Sequence, residues 1–191
     1  MGPLFIMTES FGPHCGERWT SYVAWSKLTQ LTEVVTLDGC LCPSVVDEIR
    51  DDDWPHIVNE DCMLDYFTDL DHLLGRCGGP AGKNLLCVYR EPQEHPTPPG
   101  GPHEFRFAGY DLVDVGGGIS ALTNCGGFAA AFDGRELNAH GLLDTLERAR
   151  QVQQALETHY PLEDHAKCHV WCLFRATQLG AGGDAPQRAS G

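Results

Sequence analysis

The chain predicts an α+β fold: an antiparallel sheet of about four strands, with helices packed mainly on one face. Three observations lead there. Two strand-like runs, at 104–115 and 119–125, flank Gly116-Gly117-Gly118, the strongest turn signal in the chain. Another pair, at 85–89 and 104–115, is joined by a stretch without helix character, whereas parallel neighbours need a long crossover, usually a helix. A long amphipathic segment then precedes the last strand-like run, at 168–174.

Taken in order, residues 1–18 lack the positive start and long apolar core of a secretory signal. Pro3 and Ile6 stand where a myristoylation signal needs other residues, and Met7 is a second candidate start. The Gly, Pro, Ser and Thr content of this stretch reads as a disordered tail, so the single domain is expected at 19–179. A short helix is expected at 26–31. Another is expected at 45–50, opened by Pro43 or Ser44, with Asp47 and Glu48 in its first turn. A better helix is expected at 60–74: Asn59 caps it, Met63, Phe67, Leu70 and Leu74 form its apolar stripe, and Gly75 ends it.

Residues 85–89 read as a strand. Pro92, Pro96, Pro98, Pro99 and Pro102 then forbid regular structure, so 92–103 is expected as a flexible surface loop. In 104–115, Phe105 and Phe107 share one side. Gly109 breaks the phase as a bulge, and Tyr110 and Leu112 take the other side. The longest helix is expected at 142–159, with Leu142, Leu146, Ala149, Val152 and Leu156 on one face. Asp144 and Arg148 pair on its polar side, and Pro161 stops it. Residues 180–191 read as a second disordered tail.

Composition narrows the function classes. Of the 191 residues, 42% are hydrophobic, which excludes a wholly disordered chain. The apolar runs fall short of the about 20 residues that cross a bilayer. Net charge is −14, from 13 basic and 27 acidic residues. That disfavours nucleic acid and anionic membranes as partners and suits a basic protein surface. Nine cysteines without a secretory signal point to reduced thiols and a cytoplasmic location.

Three constellations are candidates for chemistry. His165, Cys168, His169 and Cys172 are zinc-type ligands, and on a helix their spacing would share one face. As a strand, the same run sends Cys168 and Cys172 one way and His169 the other, giving inert core thiols and no cofactor. Cys125, after Asn124 and before Gly126-Gly127, is a candidate nucleophile that needs an imidazole in reach, with His140, His165 and His169 available. Its competing reading is a tight glycine turn. Asp51, Asp52, Asp53, Glu60, Asp61, Asp65 and Asp69 form an acidic set: a solvated face, or a contact for a basic partner. Nucleotide-binding glycine motifs and a Gly-x-Ser-x-Gly elbow are absent from the sequence.

The run Phe105-Arg106-Phe107-Ala108-Gly109-Tyr110-Asp111-Leu112-Val113-Asp114, followed by Ser120-Ala121-Leu122-Thr123-Asn124-Cys125-Gly126, resembles the central hairpin of small bacterial proteins akin to immunity proteins for polymorphic toxins. The resemblance implies a small, acidic, cytoplasmic, non-enzymatic protein that neutralises a toxin by binding it. It supplies no catalytic residues. The expected function is therefore a non-catalytic acidic binding domain, an immunity-type inhibitor of a basic toxin enzyme. The alternatives are a Cys–His enzyme centred on Cys125 (with His140 or His169 as base) and a small zinc-stabilised domain.

Overall fold

The computed structural model describes residues 2–58, 64–101, 103–116, 118–124 and 126–177. The element order is β1 (Leu4–Glu9), α1 (Glu17–Ser26), β2 (Ile57–Val58), β3 (Tyr66–Phe67), α2 (Leu70–Cys77), β4 (Lys83–Arg90), β5 (Phe105–Asp114), α3 (Leu146–His159) and β6 (Cys168–Ala176), with short 3-10 turns between. The class is α+β and the sheet is antiparallel, but it has six strands rather than about four, in the order β2-β3-β1-β4-β6-β5.

The first correction concerns the N-terminus. Residues 4–9 are not a tail: Leu4 to Thr8 are buried, and β1 lies between β3 and β4, with Met7 opposite Leu85 and Phe5 opposite both Cys87 and Phe67. An unbroken apolar run suits a strand covered on both faces. Phe5 and Met7 join the core on one side, while Leu4 and Ile6 join the core on the other.

The first of those cores holds the buried residues of all three helices: Tyr22 of α1, Leu73 of α2, and Ala149, Val152 and Leu156 of α3. They pack on Cys87, Leu112, Val170, Cys172 and Phe174. Among the described residues the other face (Leu86, Val88, Trp171 and Leu173) is covered by Val35, Leu37, Leu64 and Leu142, none of them in a helix.

Several expected elements move, each for a local reason. The helix placed at 26–31 lies instead at Glu17–Ser26, because Lys27 takes a left-handed conformation (φ 62°) and ends it. No helix forms at 45–50. The backbone there is used by β1: Val45 N–H donates to Met7 O at 2.9 Å, and Glu9 N–H donates to Pro43 O at 2.9 Å. The helix placed at 60–74 is confined to α2. Tyr66 and Phe67 are in a strand, and the Asp69 carboxylate caps α2 by accepting from His72 N–H at 3.1 Å. Residues 59–63 lie outside the described residues. α3 starts at Leu146, with Thr145 as its cap, because Leu143 is bound to Tyr110 of β5. Arg148 pairs with Glu136 at 2.6 Å, while Asp144 accepts from Asn138.

The bulge in β5 is real, but it acts opposite to expectation. It falls between Phe107 and Gly109, so Ala108 is the extra residue. One inserted residue returns Tyr110 and Leu112 to the face of Phe105. The expected return strand at 119–125 shrinks to one bridge, Val113 to Ser120. The outer edge of β5 is nonetheless occupied: Tyr110 and Leu143 exchange both backbone hydrogen bonds (2.8 and 3.0 Å), and Ala121 N–H donates to Leu112 O at 2.8 Å. Between β4 and β5 the described residues form no regular element, as the prolines require. Pro102 and the stretch 178–191 lie outside the described residues.

Candidate functional site

The acidic set divides sharply. Asp51 and Asp52 are exposed on a turn, whereas Asp53 is fully buried. Its carboxylate accepts from Arg50 N–H (2.8 Å), His72 Nε2 (2.8 Å) and Arg76 Nε (2.9 and 3.1 Å). Burial alone would raise its pKa, but these donors together hold it below the ordinary carboxylate range. Asp53 is therefore a structural anchor, not a contact residue. Asp65 is half-buried, and Asp69 is occupied in capping α2. Glu60 and Asp61 lie outside the described residues.

What Asp53 anchors is the next turn, Trp54–His56, where Pro55 pre-sets the backbone. Trp54 stands 60% exposed beside Asp51 and Asp52. His56 stacks on His72 with ring centroids 4.2 Å apart. The result is one corner carrying an exposed aromatic ring and, just before it in the chain, two exposed carboxylates. Sequence reading missed Trp54. A tryptophan between an acidic run and a proline was the available signal.

The zinc-type residues are not gathered. Cys168 and Cys172 point into the helical core, while His169 sits beside Glu91 (3.3 Å) and His165 beside Asp114 (2.6 Å). Among the described residues no group of three or more His, Cys, Asp or Glu is placed to hold a metal ion. Burial pushes the thiols of Cys42, Cys87 and Cys172 from an ordinary 9.0 up to about 12. Their folded pKa values are raised, so the stability of the neutral thiols is complete below pH 9 and is lost as pH climbs toward 12. The expected loss is on the order of 1 kcal/mol per thiol per pH unit above 9. Urea midpoints at pH 8 and pH 10 check this, and equal midpoints would contradict the burial of these sulfurs.

Cys125 lies outside the described residues. Of the imidazoles considered for it, His140 stands by Glu33, which also pairs with Arg175. Burial lowers its pKa against the pull of Glu33. His169 lines a neighbouring cleft with Cys168. His165 shares a cleft with Asn124 and Gly127. This cleft, about 470 Å³, is lined by Ile119, Asn124, Gly127, Phe128, Tyr160 and His165, with Glu163 at its side.

The wall of this cleft is built from the core outward. Asp111 is wholly buried and accepts four hydrogen bonds: from Thr36 Oγ1 (2.6 Å), Leu37 N (3.1 Å), Ser120 Oγ (2.7 Å) and Leu112 N (2.9 Å). Asp38, also buried, accepts from Ser120 N (2.8 Å) and Asn124 Nδ2 (3.0 Å). Two buried carboxylates thus hold the turn at 120–124, and the asparagine before Cys125 is fixed by both its backbone and its side chain.

No protein-family model matches this chain, and neither a curated protein nor a solved structure matches it.

Proposed function

We propose that this chain is a non-catalytic protein-binding domain that docks a basic surface through Asp51, Asp52 and Trp54. In its finer form it is an immunity-type inhibitor of a basic toxin enzyme in the bacterial cytoplasm, the role implied by the resemblance of the segments at 105–114 and 120–126. The observation that carries the binding reading is one corner of the surface: an exposed tryptophan that follows two exposed carboxylates, joined to them through the buried Asp53, which His72 and Arg76 hold. Aromatic residues held in place lose little entropy on binding and dominate interface energetics. Carboxylates around them speed encounter with a basic partner, a role to which a net charge of −14 also contributes.

Affinity capture with wild type and with the Asp51→Asn/Asp52→Asn/Trp54→Ala variant, run side by side, tests the reading. Wild type is expected to retain a basic protein that the variant loses. With the captured protein as titrant, Trp54→Ala costs about 2 kcal/mol, roughly 30-fold in Kd. The two Asn changes mainly slow association and flatten its salt dependence. Identical capture by both proteins would remove this corner from the account.

A further inference from the structure

We propose that the cleft at the C-terminal end of α3 receives an arginine side chain of a basic protein partner, as a second contact separate from the acidic corner. The cleft measures about 630 Å³ and lies between α3, the residue that follows β4 and the start of β6. Val115, Tyr160, Pro161 and Ala166 give it an apolar lining, and its carboxylates are Glu91 and Glu157. Glu91 is held in place from several sides. Its backbone takes a left-handed conformation (φ 46°), which a residue other than glycine keeps only where its surroundings enforce it. Glu91 N–H donates to Val170 O at 2.7 Å. Glu91 Oε1 accepts from Val170 N–H (2.8 Å) and Gln153 Nε2 (3.0 Å), and His169 Nδ1 lies 3.3 Å from it. Gln153 Nε2 is itself fixed by Cys168 O at 2.7 Å. These contacts all use Oε1, so among the described residues Oε2 keeps its capacity to accept from a ligand.

Charge decides the occupant. Glu157 is exposed, and its carboxylate has no partner among the described residues. It stands in the last turn of α3, where a negative side chain opposes the helix dipole. Two carboxylates and the negative end of a helix thus meet at one apolar cleft, a combination that draws a cation on an apolar stem. Lys167 also lines the cleft and opposes this, but one ammonium does not offset two carboxylates and a helix terminus. Arginine suits the cleft better than lysine. Its stem covers the apolar lining, its planar fork of donors serves several acceptors at once, and its charge is less strongly hydrated than an ammonium. The volume exceeds that of one side chain, so the flanking backbone enters too, and the occupant is a residue within a chain. The nature of the partner rests on the binding reading above, whereas the position does not, since no cleft residue belongs to the corner at 51–54.

The probe is Nα-acetyl-arginine amide, titrated into isotope-labelled protein and followed by backbone amide chemical shifts. Shifts are expected at Glu91, Val115 and His169, with a Kd in the millimolar range. The citrulline analogue, equal in shape but uncharged, is expected to bind roughly fivefold more weakly. Glu157→Gln is expected to weaken arginine amide binding roughly fivefold as well. Glu91→Gln keeps an oxygen for Val170 N–H and Gln153, and hence the fold; combined with Glu157→Gln it is expected to abolish binding. Lys167→Ala is expected to tighten binding roughly threefold, whereas an anionic ligand would reverse the sign of every one of these changes. The Asp51→Asn/Asp52→Asn/Trp54→Ala variant is expected to bind the amide as wild type does, so a failure of the corner and a failure of the cleft are read separately. Equal binding of the arginine and citrulline amides, or weaker binding by Lys167→Ala, would overturn the proposal. Free arginine binding more tightly than its blocked amide would overturn the assignment to a protein partner.

Discussion

Replacing Asp111 with alanine is expected to cost about 4 kcal/mol or more, because several buried donors lose their acceptor at once. The backbone N–H groups of Leu37 and Leu112 point at this carboxylate, as do the hydroxyls of Thr36 and Ser120. Alanine leaves all four without a partner in a place water does not reach. Asp111→Asn is milder but not neutral. Each carboxylate oxygen faces a backbone N–H, so either orientation of the amide sets an NH₂ against a donor. About 2 kcal/mol is expected for it.

The pH dependence separates the two charge states. Burial, aided by the nearby Asp38, pushes the Asp111 pKa up against its hydrogen bonds. A raised carboxyl pKa contributes stability that is complete below the ordinary value and is lost as pH rises through the folded one. The wild-type advantage over Asp111→Asn should therefore shrink as pH rises through that window. Urea unfolding of both variants across this range is the measurement. A loss under 1 kcal/mol for Asp111→Ala would mean that the network does not close as described.

Gly109→Ala is the second large effect expected. At φ 144° the backbone is in a region that side chains rarely adopt. A methyl group there would sit 2.5 Å from Leu142 Cβ and 3.0 Å from Leu143 O. Neither atom can retreat, since Leu142 is fully buried and the Leu143 carbonyl accepts from Tyr110 N–H. Strain and overpacking together predict about 3 kcal/mol, roughly a 10 °C fall in Tm for a chain of this size. Gly116→Ala, which meets nothing within 4 Å, is the control and should change little. Equal melting temperatures for the two variants would refute the close approach at the bulge.

The long periodic segments were legible in the sequence. β4, β5, β6 and α3 lie within a few residues of their expected places because their burial patterns are local. Helix starts were less legible. Thr145 and Asp69 are good caps, but Leu143 and Phe67 look helical until their partners on β5 and β1 are known. β1 was hidden by its flanks: Gly2-Pro3 and Gly12-Pro13 suggest a loop, and only pairing with β4, some eighty residues on, makes Leu4 to Met7 a strand. The candidate residues follow the same rule. Charge marked Asp51 and Asp52, but it could not distinguish them from Asp53, whose burial depends on His72 and Arg76. His165 was visible as a zinc-type ligand. Its partner Asp114 was not, because the two lie 51 positions apart with no periodic link between them.

The margins of the sheet have a consequence for how the protein behaves when crowded. An open strand edge is a template on which another chain can add and polymerise. Here one margin is β2, only two residues long. The other is β5, ten residues long and rich in aromatic and branched residues, hence the more dangerous of the two. The segments at 119–121 and 138–143 lie along it and use its outward backbone groups. Among the described residues they leave no long open edge on which a second copy could extend the sheet, and so act as a built-in guard against fibre growth.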